Sequence, residues 1–228
     1  MSYVFIVALF ISILAFIVVW GKLRTARRAD YIRNFVLPEG LFERLRKRRP
    51  ELSLKECQLV SHALRQFFLA YLKGGCKFVA MPSQVADNLW HEFILYTKNY
   101  DLFCRRAFGE FLHHSPAVVL STAQQNNIGL RRCWWHTCRE ENINPRNATR
   151  LPLLFALDAK LKVADGFHYV ADCRSVRRTS TSGDSGGVVY CGGDFSSSGF
   201  DGGIEGFGDA SGGAGDSSGC GGGGCGGD

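Results

Sequence analysis

Residues 89–116 read LWHEFILYTKNYDLFCRRAFGEFLHHSP. Leu89, Phe93, Tyr96 and Tyr100, with Val85 just before them, recur at the spacing of one helical face. Leu102, Phe103, Ala107, Phe108, Phe111 and Leu112 continue an apolar face, so the stretch predicts two helical segments with a break near Tyr100. Ser83 provides the start, and His113-His114-Ser115-Pro116 the end. Such a stripe of aromatics is the mark of a packed core, and it sets the class as mainly α.

The same stretch carries groups that can hold a metal. Asp87 and His91 are four apart and share a helical face. Cys104 can come back toward them only if the chain turns near Tyr100. His113 and His114 differ by about 100° in direction on a helix, so one of them at most can point where His91 points. Asp87, His91, Cys104, His113 and His114 are therefore the candidate ligands of a divalent metal such as zinc, or the centre of a metal- or thiol-dependent enzyme. The spacing is neither H-E-x-x-H nor a paired C-x-x-C motif. The plain alternative is structural: an Asp87–His91 ion pair, and two histidines favoured by the dipole at a helix C-terminus.

Working outward, the preceding segment is helical too. Pro38 to Leu45 opens a short helix that Pro50 terminates. Ser53-Leu54-Lys55-Glu56 is a capping-box pattern. Leu54, Cys57, Val60, Leu64, Phe67, Phe68 and Tyr71 then recur at helical spacing until Gly74-Gly75 stops the helix. On the far side, Ala117–Glu141 predicts a third helix, with Cys133 and Cys138 as small buried hydrophobes. Arg150–Leu161 predicts a short helix or buried segment, and Gly166–Cys173 an extended one.

The N-terminus has a different solvent. Residues 3–20 contain no charge, and a helix of that length rises about 27 Å, close to the roughly 30 Å hydrocarbon core. Tyr3 and Trp20 stand where interfacial aromatics prefer to lie. A cleaved signal peptide would need a basic start and a small-residue cleavage site, whereas only Met1 and Ser2 precede the run and basic residues follow it. The expectation is an uncleaved, single-pass membrane anchor. Lys22, Arg24, Arg27, Arg28 and Arg33 place the bulk of the chain on the cytoplasmic side, with the first four near anionic lipid headgroups. Cysteines there should be thiols or metal ligands.

The C-terminus is of low complexity. From Gly183 onward 20 of 46 residues are glycine, seven are acidic and none is basic. That segment carries −7 and the rest of the chain +13. Too little apolar surface is available there to offset ordering, so a disordered tail is expected. Cys220 and Cys225 sit in near-pure glycine as an interaction arm for an unidentified protein partner. The basic body admits nucleic acid by charge, but no recognisable DNA- or RNA-binding module is present, and nucleic acid is not the expected partner. The organisation reads as an anchor at 1–21, a basic juxtamembrane linker at 22–37, a helical domain with a short extended segment at 38–178, and a tail at 179–228.

Val85–His114, with Asp87, Trp90, His91, Leu95 and Tyr100, resembles the glycine-rich domain-containing protein family, whose hallmark is D-x-x-W-H followed by a leucine- and tyrosine-bearing helix. Residues 138–161, the segment 166–173 and the Gly/Cys tail are similar to bacterial, membrane-anchored members. The chain departs from the plant pattern where Phe93 stands in place of a second histidine. The resemblance implies no established activity. The functional expectation is a membrane-anchored binding or scaffold protein with a flexible interaction tail. The alternative is the metal- or thiol-dependent enzyme.

Overall fold

The computed structural model describes residues 2–114, 123–171 and 189–191. It divides into the unit Met1–Ser197 and the unit Ser198–Asp228, and the second lies wholly outside the described residues, with Cys220 and Cys225. The described residues form seven helices and one strand pair, a mainly α architecture as the periodicity predicts. The helices are α1 (Ser2–Asn34), α2 (Leu41–Arg48), α3 (Leu54–Lys73), α4 (Gln84–Ile94), α5 (Thr97–Ala107), α6 (Ala123–Glu140) and α7 (Leu153–Lys160).

Helix α3 is the central element, packing against α1, α2, α4, α6 and α7. Its start is the predicted capping box. Ser53 N–H donates to Glu56 Oε2 at 2.7 Å, and Glu56 N–H donates to Ser53 Oγ at 3.3 Å. Cys57, Val60, Leu64, Phe67, Phe68 and Tyr71 are buried, whereas Leu54, in the first turn, is exposed. The stop is at Gly74-Gly75, with Gly75 at φ 72°.

Two boundaries differ from the sequence reading. The break between α4 and α5 lies at Leu95-Tyr96, one turn before Tyr100. Tyr96 N–H folds back onto Phe93 O at 3.0 Å, and the corner lets the Phe93 and Tyr100 rings meet edge to face at 5.2 Å. Helix α5 then ends at Ala107, because Gly109 turns left-handed at φ 88° and sends its N–H to Cys104 O. His113 and His114 therefore follow a loop rather than closing a helix, and neither the helical-direction nor the dipole argument applies to them. The third helix begins at Ala123, with residues 115–122 outside the described set.

The segment expected as a linker is helical as well. Helix α1 runs without interruption from the apolar run to Asn34, and it is long and apolar enough to cross a membrane. Its side chains from Tyr3 to Trp20 are all exposed, while Ala29 and Ile32 are buried in the core. Phe103 of α5 gathers Tyr31, Phe35, Phe68, Phe93 and Phe108 around it at ring distances of 4.6–6.0 Å. Arg33 makes a two-pronged pair with Glu140 at 2.8 and 3.1 Å, and Lys73 joins the same carboxylate. Burial alone would raise the Glu140 carboxyl, but the bonds from Arg33 and Lys73 outweigh it and hold it below its ordinary value. Arg28, expected among lipid headgroups, turns inward instead and donates to Phe108 O at 2.8 Å.

The extended segment is β1 (His168–Val170), which pairs in parallel with β2 (Val189–Cys191), His168 opposite Val189. Strand β2 falls inside the region expected to be disordered. Val189-Tyr190-Cys191 is an apolar triplet, and pairing satisfies its backbone.

Candidate metal centre

Helix α4 is fixed at its start by a buried carboxylate. Asp158 of α7 accepts hydrogen bonds from Ser83 Oγ (2.7 Å), Gln84 N (2.7 Å), Val85 N (3.2 Å) and Phe167 N (3.0 Å). Ser83 Oγ in turn accepts from Ala86 N at 3.2 Å. A negative group at a helix N-terminus is well placed against the free amides and the dipole.

From that end, α4 turns Asp87 and His91 to one face and Trp90 inward. Trp90 donates from Nε1 to Tyr100 Oη at 3.1 Å, and Tyr100 Oη donates to Leu112 O at 2.6 Å. Burial pushes the Tyr100 phenol well above its ordinary pKa, which keeps that donor protonated. The two bonds pin the chain two residues before His114. His114 then lies edge-on against Trp90 at 4.5 Å and over the His91 ring at 4.1 Å.

His114 Nε2 is 2.9 Å from Asp87 Oδ1, and His91 Nδ1 is 3.2 Å from Asp87 Oδ2 and 2.9 Å from Asp87 O. One atom from each of Asp87, His91 and His114 lies within 4.8 Å of the others. Tetrahedral zinc with ligand bonds of 2.0–2.1 Å sets its donors about 3.3 Å apart. The cluster meets that spacing after shifts of a few tenths of an ångström up to about 1.5 Å, within reach of χ rotations. Two imidazoles and one carboxylate match the donor set of catalytic zinc sites, which leave a position open. His91 is 42% exposed, against 15% for His114, so the open side faces solvent at His91.

The other two sequence candidates lie elsewhere. His113 points out and its ring lies tilted against Phe111 at 4.8 Å. Cys104 is fully buried on α5, and burial pushes its thiol up. The same cause raises Cys57, Cys76, Cys133 and Cys138, the last to about 12. Thiols held protonated in this way are poor nucleophiles and poor ligands. Among the described residues the chemistry therefore converges on Asp87, His91 and His114. The sequence reading treated Trp90 and Tyr100 as core stripe and hallmark, and it missed Asp158. The D-x-x-W-H spacing with a tyrosine ten residues on was the available signal for the first two. Nothing in the "LDAK" context marks Asp158.

No curated protein and no solved structure matches the chain. One family model does, described as UCP032817-like, over residues 27–195. The matched range begins in the part of α1 that packs on the core and runs past β2, so it includes the whole cluster. A match over most of the chain shows membership: this protein belongs to the UCP032817-like family.

Proposed function

We propose that this is a membrane-anchored protein whose helical domain binds one divalent metal, zinc by donor type, through Asp87, His91 and His114. The convergence of these three donors within 4.8 Å, from positions 27 residues apart in sequence, carries the reading. Binding is favoured over hydrolysis because Glu92, the carboxylate adjacent to His91, is engaged by Arg44 at 2.7 Å and Arg48 at 3.5 Å and is not free to act as a base. The metal would clip the loop after α5 onto α4, and a solvent-side position would stay open for a ligand. In this reading α1 spans the bilayer, Lys22, Arg24 and Arg27 meet anionic headgroups, and the domain lies on the cytoplasmic side. The Gly-rich tail with Cys220 and Cys225 serves as an interaction arm.

The test is elemental mass spectrometry on full-length protein in detergent, purified without a metal-affinity tag, in a Cys220→Ser/Cys225→Ser background. About one equivalent of zinc, retained through dialysis and lost in both His91→Ala and His114→Ala, is expected. Folded protein that neither carries zinc nor takes it up on titration overturns the reading.

A further inference from the structure

Three helix registers define a face of the domain that the metal site does not use. Arg65 of α3 donates from Nη2 to Phe35 O at 2.9 Å, which sets Arg65 level with the end of α1. Helix α3 runs antiparallel to α1, so its last residues come down about 13 Å, to the level of Ala26. Helix α5 gives the same answer independently. Phe103 lies against Tyr31 at 6.0 Å, and Phe108 O receives Arg28, so α5 also ends near the level of Ala26 to Arg28. Helix α6 points the other way. Its Arg132 side chain packs on Gly74 and donates to Phe78 O, while Glu141 accepts from Gln66 at 2.8 Å. Helix α6 therefore continues downward toward its first turn, with Asn126, about 9 Å further down than Arg132, at the level of Trp20.

Ala26 is six residues past Trp20, about 9 Å along the helix. The interfacial layer of a bilayer is roughly 5–8 Å deep on each side. If α1 spans, as proposed above, Gly74 stands at the top of that layer, and Phe78, which packs on Gly129 about 4–5 Å below Arg132, lies within it together with the α6 turn that carries Gly129. The side chains there suit that position. Phe78 is 36% exposed, Lys77 is exposed beside it, and Leu23, Lys22, Arg24 and Arg27 of α1 are exposed at the same height. No acidic residue occurs from Ala123 to Arg132. Glu110, near this face, accepts from Tyr71 Oη at 3.0 Å.

We propose that the underside of the helical domain, the turn Gly74–Phe78 with the N-terminal turns of α6, rests in the headgroup layer of the bilayer that α1 spans, with Phe78 and Lys77 against anionic lipid. The aromatic ring enters the interfacial zone, where amphipathic and aromatic groups are favoured, and the cations meet a negative surface. The domain is then seated on the membrane as well as tethered to it.

The test uses full-length protein in nanodiscs of phosphatidylcholine with phosphatidylglycerol. A photoreactive phenylalanine analogue replaces Phe78, Lys77 or Leu95. Leu95 is 60% exposed at the α4–α5 corner, about 18 Å above the foot of α5, and serves as the control on the aqueous side. At least tenfold more lipid adduct at position 77 or 78 than at 95 is expected. Adduct at 77 and 78 no greater than at 95, in protein that resists carbonate extraction, overturns the seating. Protein that carbonate releases from membranes shows instead that α1 does not span, and it overturns the seating with the anchor. Position 77 keeps the test valid where substitution at Phe78, which packs on Gly129, disturbs the fold.

Discussion

Replacing Tyr100 with phenylalanine removes one oxygen and leaves the ring. That oxygen does two things: it accepts from Trp90 Nε1 at 3.1 Å and donates to Leu112 O at 2.6 Å, both in the buried interior. Neither group has room to recruit water, because Trp90 is 4% exposed and Leu112 7%. A buried polar group left without its partner costs about 1–3 kcal/mol, so the two together predict roughly 2–6 kcal/mol of destabilisation. At about 2–4 °C per kcal/mol for a chain of this size, Tm should fall by roughly 4–24 °C. The second effect is on the metal. With Leu112 released, the backbone that carries His114 over His91 is no longer pinned, and metal affinity should fall, by less than the roughly 10–100-fold that follows loss of a partner bonded directly to a ligand. The assay is a zinc titration by calorimetry, at a temperature where the variant is folded, beside thermal denaturation. Tyr71→Phe, which loses only the bond to Glu110, is the control and should leave zinc binding unchanged. A Tyr100→Phe protein that binds zinc as tightly as the parent, while losing stability as calculated, refutes the positioning role and leaves Tyr100 a core residue.

Three further outcomes follow from the contacts. Asp158→Ala strips a partner from three amides and the Ser83 hydroxyl, and should cost roughly 3–5 kcal/mol in urea denaturation, with Asp158→Asn costing less because its amide oxygen still accepts. Gly109→Ala places a methyl group within 2.5 Å of Arg28 Nη2 in a left-handed residue; a loss of about 1–2 kcal/mol is expected from the backbone alone, and faster hydrogen exchange at the foot of α5 would report the release of Arg28. Burial, then Lys73, Arg139 and Arg132, push the His136 imidazole down to about 4. Below pH 6.5 the unfolded chain takes up a proton that the folded chain refuses, so stability is full above that pH and declines by up to about 3 kcal/mol as pH falls toward 4. His136→Gln should flatten that stretch of the stability–pH curve, and an NMR titration of His136 with a midpoint near 6.5 would contradict it.

The helices were legible where the chain states its own boundaries. Ser53 and Glu56 name the start of α3 and Gly74-Gly75 its end, because capping is local chemistry. The α4–α5 corner was misplaced by a turn because no glycine or proline marks Leu95-Tyr96. The bend there is stabilised by distant partners, as Tyr96 Oη donating to Glu39 O at 3.2 Å shows. Gly109 did mark a break, but the apolar pattern on both sides of it reads as one face. In the candidate site, Asp87 and His91 were visible as a helical pair. The choice of His114 over His113 and Cys104 was not, since it depends on a loop whose path is set by one tyrosine–carbonyl bond across 12 residues. Strand β2 was hidden for a similar reason: three apolar residues within glycine have no pattern until β1 lies beside them.

The unbroken α1 has a mechanical meaning. A flexible linker would let the domain hold any attitude while the transmembrane segment leaned to suit the local bilayer. Here the last turns of the same helix are core, with Ile32 fully buried and Arg33 locked to Glu140, so there is no swivel. Transmembrane helices tilt by about 20° on average and tilt further in thin membranes to keep their apolar length covered. If α1 spans as proposed, the Asp87–His91–His114 cluster, beside the turn of α3 that carries Phe67 and about 20 Å above Trp20, is carried about 7 Å sideways by a tilt of that size, and one edge of the domain is pressed toward the lipid. In that case hydrophobic thickness is converted into the attitude of the Asp87–His91–His114 cluster, with α1 acting as the lever.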